Sequence, residues 1–177
     1  RDFLPLPLSP FHQPIKCRAA VLYSEGQPMV VEDVLIDPPQ GSQVRVRMVS
    51  AGICASDAHY VWGEQQLANM PNVMGHEGAG VVESVGCDVV DLKPGDYVLT
   101  TFNPRCRACK SCKNPLTNVC RNTIPLLMGT VPNKRTSDGK ALFGYCGLGT
   151  YSEYVLVEPS QVVKVSSALF YYKIFIP

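Results

Sequence analysis

The sequence predicts a mainly β protein, a barrel or sandwich of short strands that carries a small metal-binding lobe and short helices. Three observations predict it. Fifteen prolines and fourteen glycines punctuate short Val-rich runs, a spacing that suits strands and turns rather than long amphipathic helices. The run Val44-Arg45-Val46-Arg47-Met48-Val49 alternates apolar and basic residues. Period two makes it a strand with Val44, Val46 and Met48 on one face and Arg45 and Arg47 on the other. Finally, Cys106, Cys109, Cys112 and Cys120 fall within fifteen residues, too dense for a core and well spaced for a metal.

Taken in order, residues 17–23 (CRAAVLY) and 29–36 (MVVEDVLI) read as two strands joined by a turn at Ser24-Glu25-Gly26-Gln27-Pro28, hence a hairpin. The 44–49 strand follows the turn Asp37-Pro38-Pro39-Gln40-Gly41. Residues 51–63 (AGICASDAHYVWG) open a short helix with Ser56 or Asp57 as its N-cap. Strands over 81–85 and 97–102 flank the turn Asp91-Leu92-Lys93-Pro94-Gly95-Asp96. Residues 122–149, rich in Pro, Gly, Asn and Lys, read as a long surface loop lining a cleft. Strands return at 151–157 and 161–165, and seven or so strands at this spacing make a barrel or sandwich.

The spacing C-x2-C-x2-C-x7-C brings four soft thiolates to one tetrahedral centre, the requirement of a closed structural zinc site. Arg105, Arg107, Lys110, Lys113 and Arg121 are interleaved with these cysteines, which argues against a buried thiol core. The cations offset the formal charge of minus two on a zinc with four thiolates. Disulfides between cysteines three apart would be strained, and the spacings of ferredoxin clusters differ. The lobe over 104–121 has little apolar content beyond Leu116 and Val119, so metal binding has to supply its order.

A net charge of +1 favours neither nucleic acid nor an anionic membrane as partner. No apolar stretch reaches 18 residues, so no membrane-spanning helix is expected. The proline-rich start lacks an initiator Met and a signal pattern, and residues 1–15 read as a loosely draped tail. Beyond the four clustered cysteines and Cys54, the remainder, Cys17, Cys87 and Cys146, is odd in number and scattered. That fits a reducing, cytoplasmic setting better than a disulfide scaffold.

A second polar cluster is split between two segments. Cys54, Ser56, Asp57 and His59 lie within six positions, and His76-Glu77 stands between glycines in Met74-Gly75-His76-Glu77-Gly78-Ala79-Gly80. Flanking glycines let the backbone pack closely at a bend while imidazole and carboxylate project together.

GICASDAHYVWG, MGHEGAGVVESVG, LKPGDYVL, the cysteine cluster and GLGTYSEYVLV, in that order, resemble the zinc-dependent medium-chain alcohol dehydrogenases, most of all the animal, plant and glutathione-dependent formaldehyde dehydrogenase branch. The resemblance covers about residues 15 to 165. It implies a GroES-like catalytic domain over 16–166, two zinc ions per chain, one structural and one catalytic, and oxidation of an alcohol or hemithioacetal to a carbonyl with NAD. Carried over by position, Cys54 and His76 resemble catalytic zinc ligands and Glu77 the acidic neighbour beneath that metal. Asp57 resembles the carboxylate that orients His76, which fixes its tautomer and raises its basicity. Ser56 and His59 resemble a proton relay, needed because the metal acidifies the alcohol and the proton must leave a dry pocket. Phe102 and Trp62 resemble apolar walls of the substrate pocket, with plain barrel packing as the alternative for Trp62.

Two departures qualify the resemblance. Ala55 stands where many relatives carry a basic residue that contacts the cofactor pyrophosphate. After Val165 the family continues into another cysteine ligand, then into a Rossmann domain that binds NAD and pairs subunits; here the sequence reads SSALFYYKIFIP, a divergent tail over 167–177. Gly144-Tyr145-Cys146-Gly147-Leu148-Gly149 is not a G-x-G-x-x-G fingerprint. The expectation is therefore a truncated catalytic domain that lacks the Rossmann half and does not bind NAD alone. The alternative function is a non-enzymatic zinc-binding interaction module in which Cys54, His76 and Glu77 are a relic.

Overall fold

The computed structural model describes residues 13–167, so the readings for the tails over 1–15 and 167–177 fall almost wholly outside the described residues. The chain is mainly β, as expected. Its first strand, β1 (Ile15–Leu22), shows why: Cys17, Ala19 and Val21 turn inward and are buried, while Lys16 and Arg18 face solvent. β1 pairs antiparallel with β2 (Val30–Ile36), Ile15 opposite Ile36 and Val21 opposite Val30. β7 (Lys134–Thr136), β8 (Ala141–Gly144) and β4 (Asn72–Val73) close this set into a barrel in the order β1-β2-β7-β8-β4.

The remaining strands form a five-stranded sheet in the order β10-β6-β5-β3-β9. Its members are β3 (Val44–Ala51), β5 (Gly78–Val85), β6 (Tyr97–Thr100), β9 (Tyr154–Val157) and β10 (Val162–Val165). Two valine-rich clusters fill the interior. One joins Cys17, Ala19, Val21, Val34, Ile36 and Leu142; the other joins Val44, Val46, Val82, Val98, Val155 and Val162. Backbone bonds from Ala20 N to Tyr151 O (2.8 Å) and from Met48 N to Glu153 O (2.9 Å) tie the two sheets together.

Three expectations need correction. The segment 122–149 is not one surface loop: it contains α3 (Ile124–Leu127), β7 and β8, and it buries Leu142 and Lys134. β7 is only three residues, Lys-Arg-Thr, and β8 only four, Ala-Leu-Phe-Gly, too short for a period-two signal to mark them. Helix α1 (Ala55–Val61) takes Cys54 as its N-cap rather than Ser56 or Asp57. Asp57 sits at the third helical position and its carboxylate accepts from Cys54 N at 3.3 Å. Ile15, assigned to the tail, is the first residue of β1. Arg45 does lie opposite Val44 and Val46, yet it is fully buried. Glu83 accepts from its Nε at 2.6 Å, and the carbonyl of Gln13, in the segment before β1, covers its Nη1 at 2.9 Å. A buried guanidinium held in this way satisfies the rule that buried charges are paired.

Candidate metal centres

Two groups of ligand side chains come together among the described residues, each with its ligand atoms within 4.8 Å of one another: Cys106, Cys109, Cys112 and Cys120, and Cys54, His76 and Glu77. In the first, Cys106 Sγ lies 3.9 Å from Cys112 Sγ and Cys109 Sγ lies 3.8 Å from Cys120 Sγ. A tetrahedral zinc with Zn–S bonds of about 2.3 Å sets its sulfurs about 3.8 Å apart. The four thiols fit that ion. All are unbridged.

The lobe's backbone is wound around these sulfurs. Cys109 caps α2 (Lys110–Lys113), its Sγ accepting from Cys112 N at 3.4 Å. Arg105 Nη2 donates to Cys112 O at 2.7 Å, and Thr123 Oγ1 donates to Pro104 O at 2.7 Å, closing the lobe at its base. A hydrogen bond from the Cys106 backbone draws the Cys120 thiol down to about 5, toward the thiolate that a metal ligand requires. Within 104–121 only Pro104 and Cys120 are buried, and Leu116 is 92% exposed. The lobe has no apolar core.

The second group is assembled from distant segments. Cys54 follows the end of β3 and caps α1, while His76 and Glu77 sit between β4 and β5. Gly75 enables the approach. Its φ is +92°, and a Cβ there would stand 2.5 Å from Thr150 Oγ1 and 2.6 Å from Tyr151 Cδ1, so only glycine suits it. His76 is 6% exposed, with Nε2 3.6 Å from Glu77 Oε1 and Nδ1 3.7 Å from Asp57 Oδ2. Its Nδ1 is buried without a hydrogen bond of good geometry. Asp57, 3% exposed, is gripped by Gly75 N (2.9 Å) and the Tyr151 hydroxyl (3.0 Å). Burial pushes its carboxyl up, but the facing His76 imidazole and the Gly75 and Tyr151 donors outweigh it, and its pKa falls below the usual value. Asp57 is thus an anion facing the buried ring. A thiol, an imidazole and a carboxylate on one point are a donor set that zinc accepts.

Around His76 the other sequence-marked residues separate. Phe102 packs edge-on against the ring at 5.7 Å between centroids. Ser56 Oγ is buried beside Tyr145 without a hydrogen bond of good geometry. His59 is turned outward, its Nδ1 paired with Glu64. Trp62 is 68% exposed at the end of α1 and, among the described residues, its ring contact is with the edge of His59, which speaks against barrel packing as its role. Sequence reasoning missed Tyr145, which stands perpendicular to His76 at 5.1 Å and touches Tyr60 at 5.2 Å, and Tyr151, the donor to Asp57. Tyr145 lies in the glycine-rich stretch 144–149, and an aromatic inside a tight turn is the one signal that could have marked it.

Residues 40–167 match the alcohol dehydrogenase GroES-like domain family. A geraniol dehydrogenase from Carpoglyphus lactis is 51% identical over 161 residues, which is 87% of this chain and 42% of that protein. Among solved structures, an alcohol dehydrogenase zinc-binding domain protein from Burkholderia ambifaria superposes with a TM-score of 0.79 at 32% identity, covering 88% of this chain and 43% of that one. Benzyl alcohol dehydrogenase from Acinetobacter calcoaceticus gives 0.71 at 27% identity, covering 86% and 42%. The chain therefore spans about two fifths of the length of the relatives it matches. No helix among the described residues is long and apolar enough to cross a membrane.

Proposed function

This chain belongs to the alcohol dehydrogenase GroES-like domain family, an oxidoreductase family, and from that premise we propose that it is the zinc-holding, alcohol-binding part of a dehydrogenase that passes hydride to NAD. The observation that carries the proposal is the convergence of Cys54, His76 and Glu77 within 4.8 Å between two aromatic faces, Phe102 and Tyr145. When bound there, zinc supplies a Lewis acid that polarises the alcohol oxygen and eases loss of its proton. Cys54, His76 and Glu77 hold it, and the lobe cysteines hold a second, structural ion. Asp57 keeps an anion behind His76, which strengthens the ring as a donor.

Ser56, its buried hydroxyl beside Tyr145, accepts the alcohol proton as it hands its own on. His59, whose side chain is 42% exposed, passes it to solvent. Burial pushes the Tyr145 phenol well above its ordinary value, so it stays neutral and offers an uncharged wall. Phe102 and Tyr145 favour an apolar primary alcohol, in keeping with the activity named for the geraniol dehydrogenase relative, over an anionic hemithioacetal of the formaldehyde dehydrogenase branch. Trp62 lies at the outer rim, where it would meet only a long substrate.

The test needs no turnover. Metal-free protein titrated with Co²⁺ is expected to take two ions per chain. Geraniol is expected to shift the absorption bands of one of them saturably, and His76→Ala to abolish that shift. A single ion per chain, or two ions with no response to alcohol, would defeat the proposal.

A further inference from the structure

Three polar side chains outside the metal centre, the buried Lys134 and Gln161 and the half-buried Asn133, converge on one turn. Residues Tyr145–Gly147 form a short 3-10 turn in which Cys146 has φ 54° and Gly147 φ 69°, and Gly149 follows with φ 65°. Cys146, which is not a glycine, keeps that left-handed conformation only where its surroundings over-determine it. The carbonyls of Cys146, Gly147 and Leu148 each meet a side-chain donor. Lys134 Nζ donates to Leu148 O at 2.7 Å and to Asn133 Oδ1 at 3.3 Å. Asn133 Nδ2 is shared among Gly147 O (3.0 Å), Leu148 O (3.4 Å) and Leu156 O (3.3 Å), which ties the turn to β9. Gln161 Nε2 reaches Cys146 O (3.4 Å) and Gly147 O (3.3 Å). Lys134 and Gln161 are 4% and 1% exposed, so water does not replace them readily. The fit is close: a Cβ on Gly147 would stand 2.4 Å from Leu126 O and 3.0 Å from Gln161 Nε2.

What the turn carries gives this grip its meaning. Tyr145 at its start stands against His76. At its end Thr150 N and Tyr151 N donate to Gly75 O and Met74 O, both at 2.9 Å, and the Tyr151 hydroxyl reaches Asp57. The geometry points to Asn133, Lys134 and Gln161 as positioning residues: by holding the carbonyls of Cys146, Gly147 and Leu148 they fix Tyr145 on His76 and Tyr151 on Asp57, and so set the shape of the alcohol pocket from behind. Removing the Gln161 amide takes the side-chain donor from Cys146 O, and removing the Lys134 ammonium leaves Leu148 O only the longer bond from Asn133 Nδ2 at 3.4 Å, so the turn is expected to relax toward solvent. The benefit to the pocket rests on the function proposed above; the positional claim does not.

Two near-isosteric variants test it in zinc-loaded protein. Lys134→Met removes the ammonium and keeps the stem. Gln161→Glu keeps the oxygen that accepts from Glu158 N at 3.0 Å and removes the amide donor. Nuclear Overhauser contacts between the Tyr145 and His76 rings are expected to vanish in both, while those between β1 and β2 persist, and alcohol affinity in the Co²⁺ assay is expected to fall about tenfold, one broken hydrogen bond's worth. Retention of the ring contact in a folded variant would overturn the assignment. Hydrogen exchange of unaltered protein covers the case in which neither variant folds: the amides of Leu148 and Gly149, bonded to Tyr145 O at 3.0 and 3.1 Å, are expected to exchange as slowly as barrel amides, and fast exchange there would overturn it equally. Loss of the ring contact in protein that shows no alcohol response would leave the clamp standing and remove only the proposed function.

Discussion

The two cysteine-bearing centres of this chain are built in opposite ways. The lobe at 104–121 draws all four thiols from one short segment, with no core of its own and Leu116 facing solvent. The His76 centre draws its ligands from segments more than twenty residues apart, and the barrel supplies everything that aligns them: Gly75 packed on Thr150 and Tyr151, Asp57 held by three donors, Tyr145 set by a buried turn. One centre needs a metal in order to have a shape. The other has a shape into which a metal fits.

Chelation separates the two most strongly. Stripping zinc is expected to unfold the lobe, because structural zinc contributes on the order of 10–16 kcal/mol to small domains of this kind, while the barrel keeps its β signal. Hydrogen exchange with and without chelator measures both at once. Barrel amides losing protection together with the lobe would show that the two centres are one cooperative unit. Next in size is Cys109→Ser. Removing one of four thiolates forfeits about a quarter of that energy, about 3 kcal/mol or roughly 100-fold in metal affinity, and the lobe is expected to loosen with the barrel still folded. His76→Ala is the counterpart, expected to cost one zinc per chain and no exchange protection in the lobe. Metal analysis of the two variants side by side would break the comparison if each lost both ions.

Asp57→Asn has a smaller effect. It preserves shape but removes the anion 3.7 Å from His76 Nδ1, and partners of this kind typically change metal affinity by about 10- to 100-fold. Competition with a chromophoric chelator is expected to find that loss at the His76 centre alone. Unchanged affinity would mean that Asp57 serves chiefly to hold Gly75 and Tyr151.

How far the sequence foretold these centres follows the same division. The lobe was legible because its ligands are local and their spacing is itself the geometry. Strands whose apolar residues alternate, Cys17, Ala19 and Val21 on β1 and Val44, Val46 and Met48 on β3, were legible because an inward face imposes period two. Cys54 and His76 stood out as polar residues among glycines, but what joins them is long-range. Tyr145, Tyr151 and the trio Asn133, Lys134 and Gln161 left no pattern, since each acts through contacts with residues distant in sequence. β7 and β8 were missed for a related reason: the register of the barrel, not their own residues, makes them strands.

Lys134 offers the finest test of a barrel that supports its site without metal. Burial lowers its ammonium from 10.5 to about 7, with the Cys17 thiol on β1 the facing group that raises it slightly. Between pH 7 and 10.5 the unfolded chain therefore binds a proton there that the folded chain gives up, so unfolding free energy rises with pH across that window. Integrating over pH 7 to 8 gives about 1 kcal/mol, since a full proton is worth about 1.4 kcal/mol per pH unit. Neutral Lys134 still has two hydrogens for Leu148 O and Asn133 Oδ1, so the turn is expected to stay in place as the charge is lost. Urea melts at pH 7 and 8 on zinc-loaded protein and on Lys134→Met measure the difference directly. The variant is expected to show a smaller gain with pH by about that amount; identical pH dependence would mean that the carbonyl of Leu148 holds the ammonium charged, and that burial is not what sets its proton.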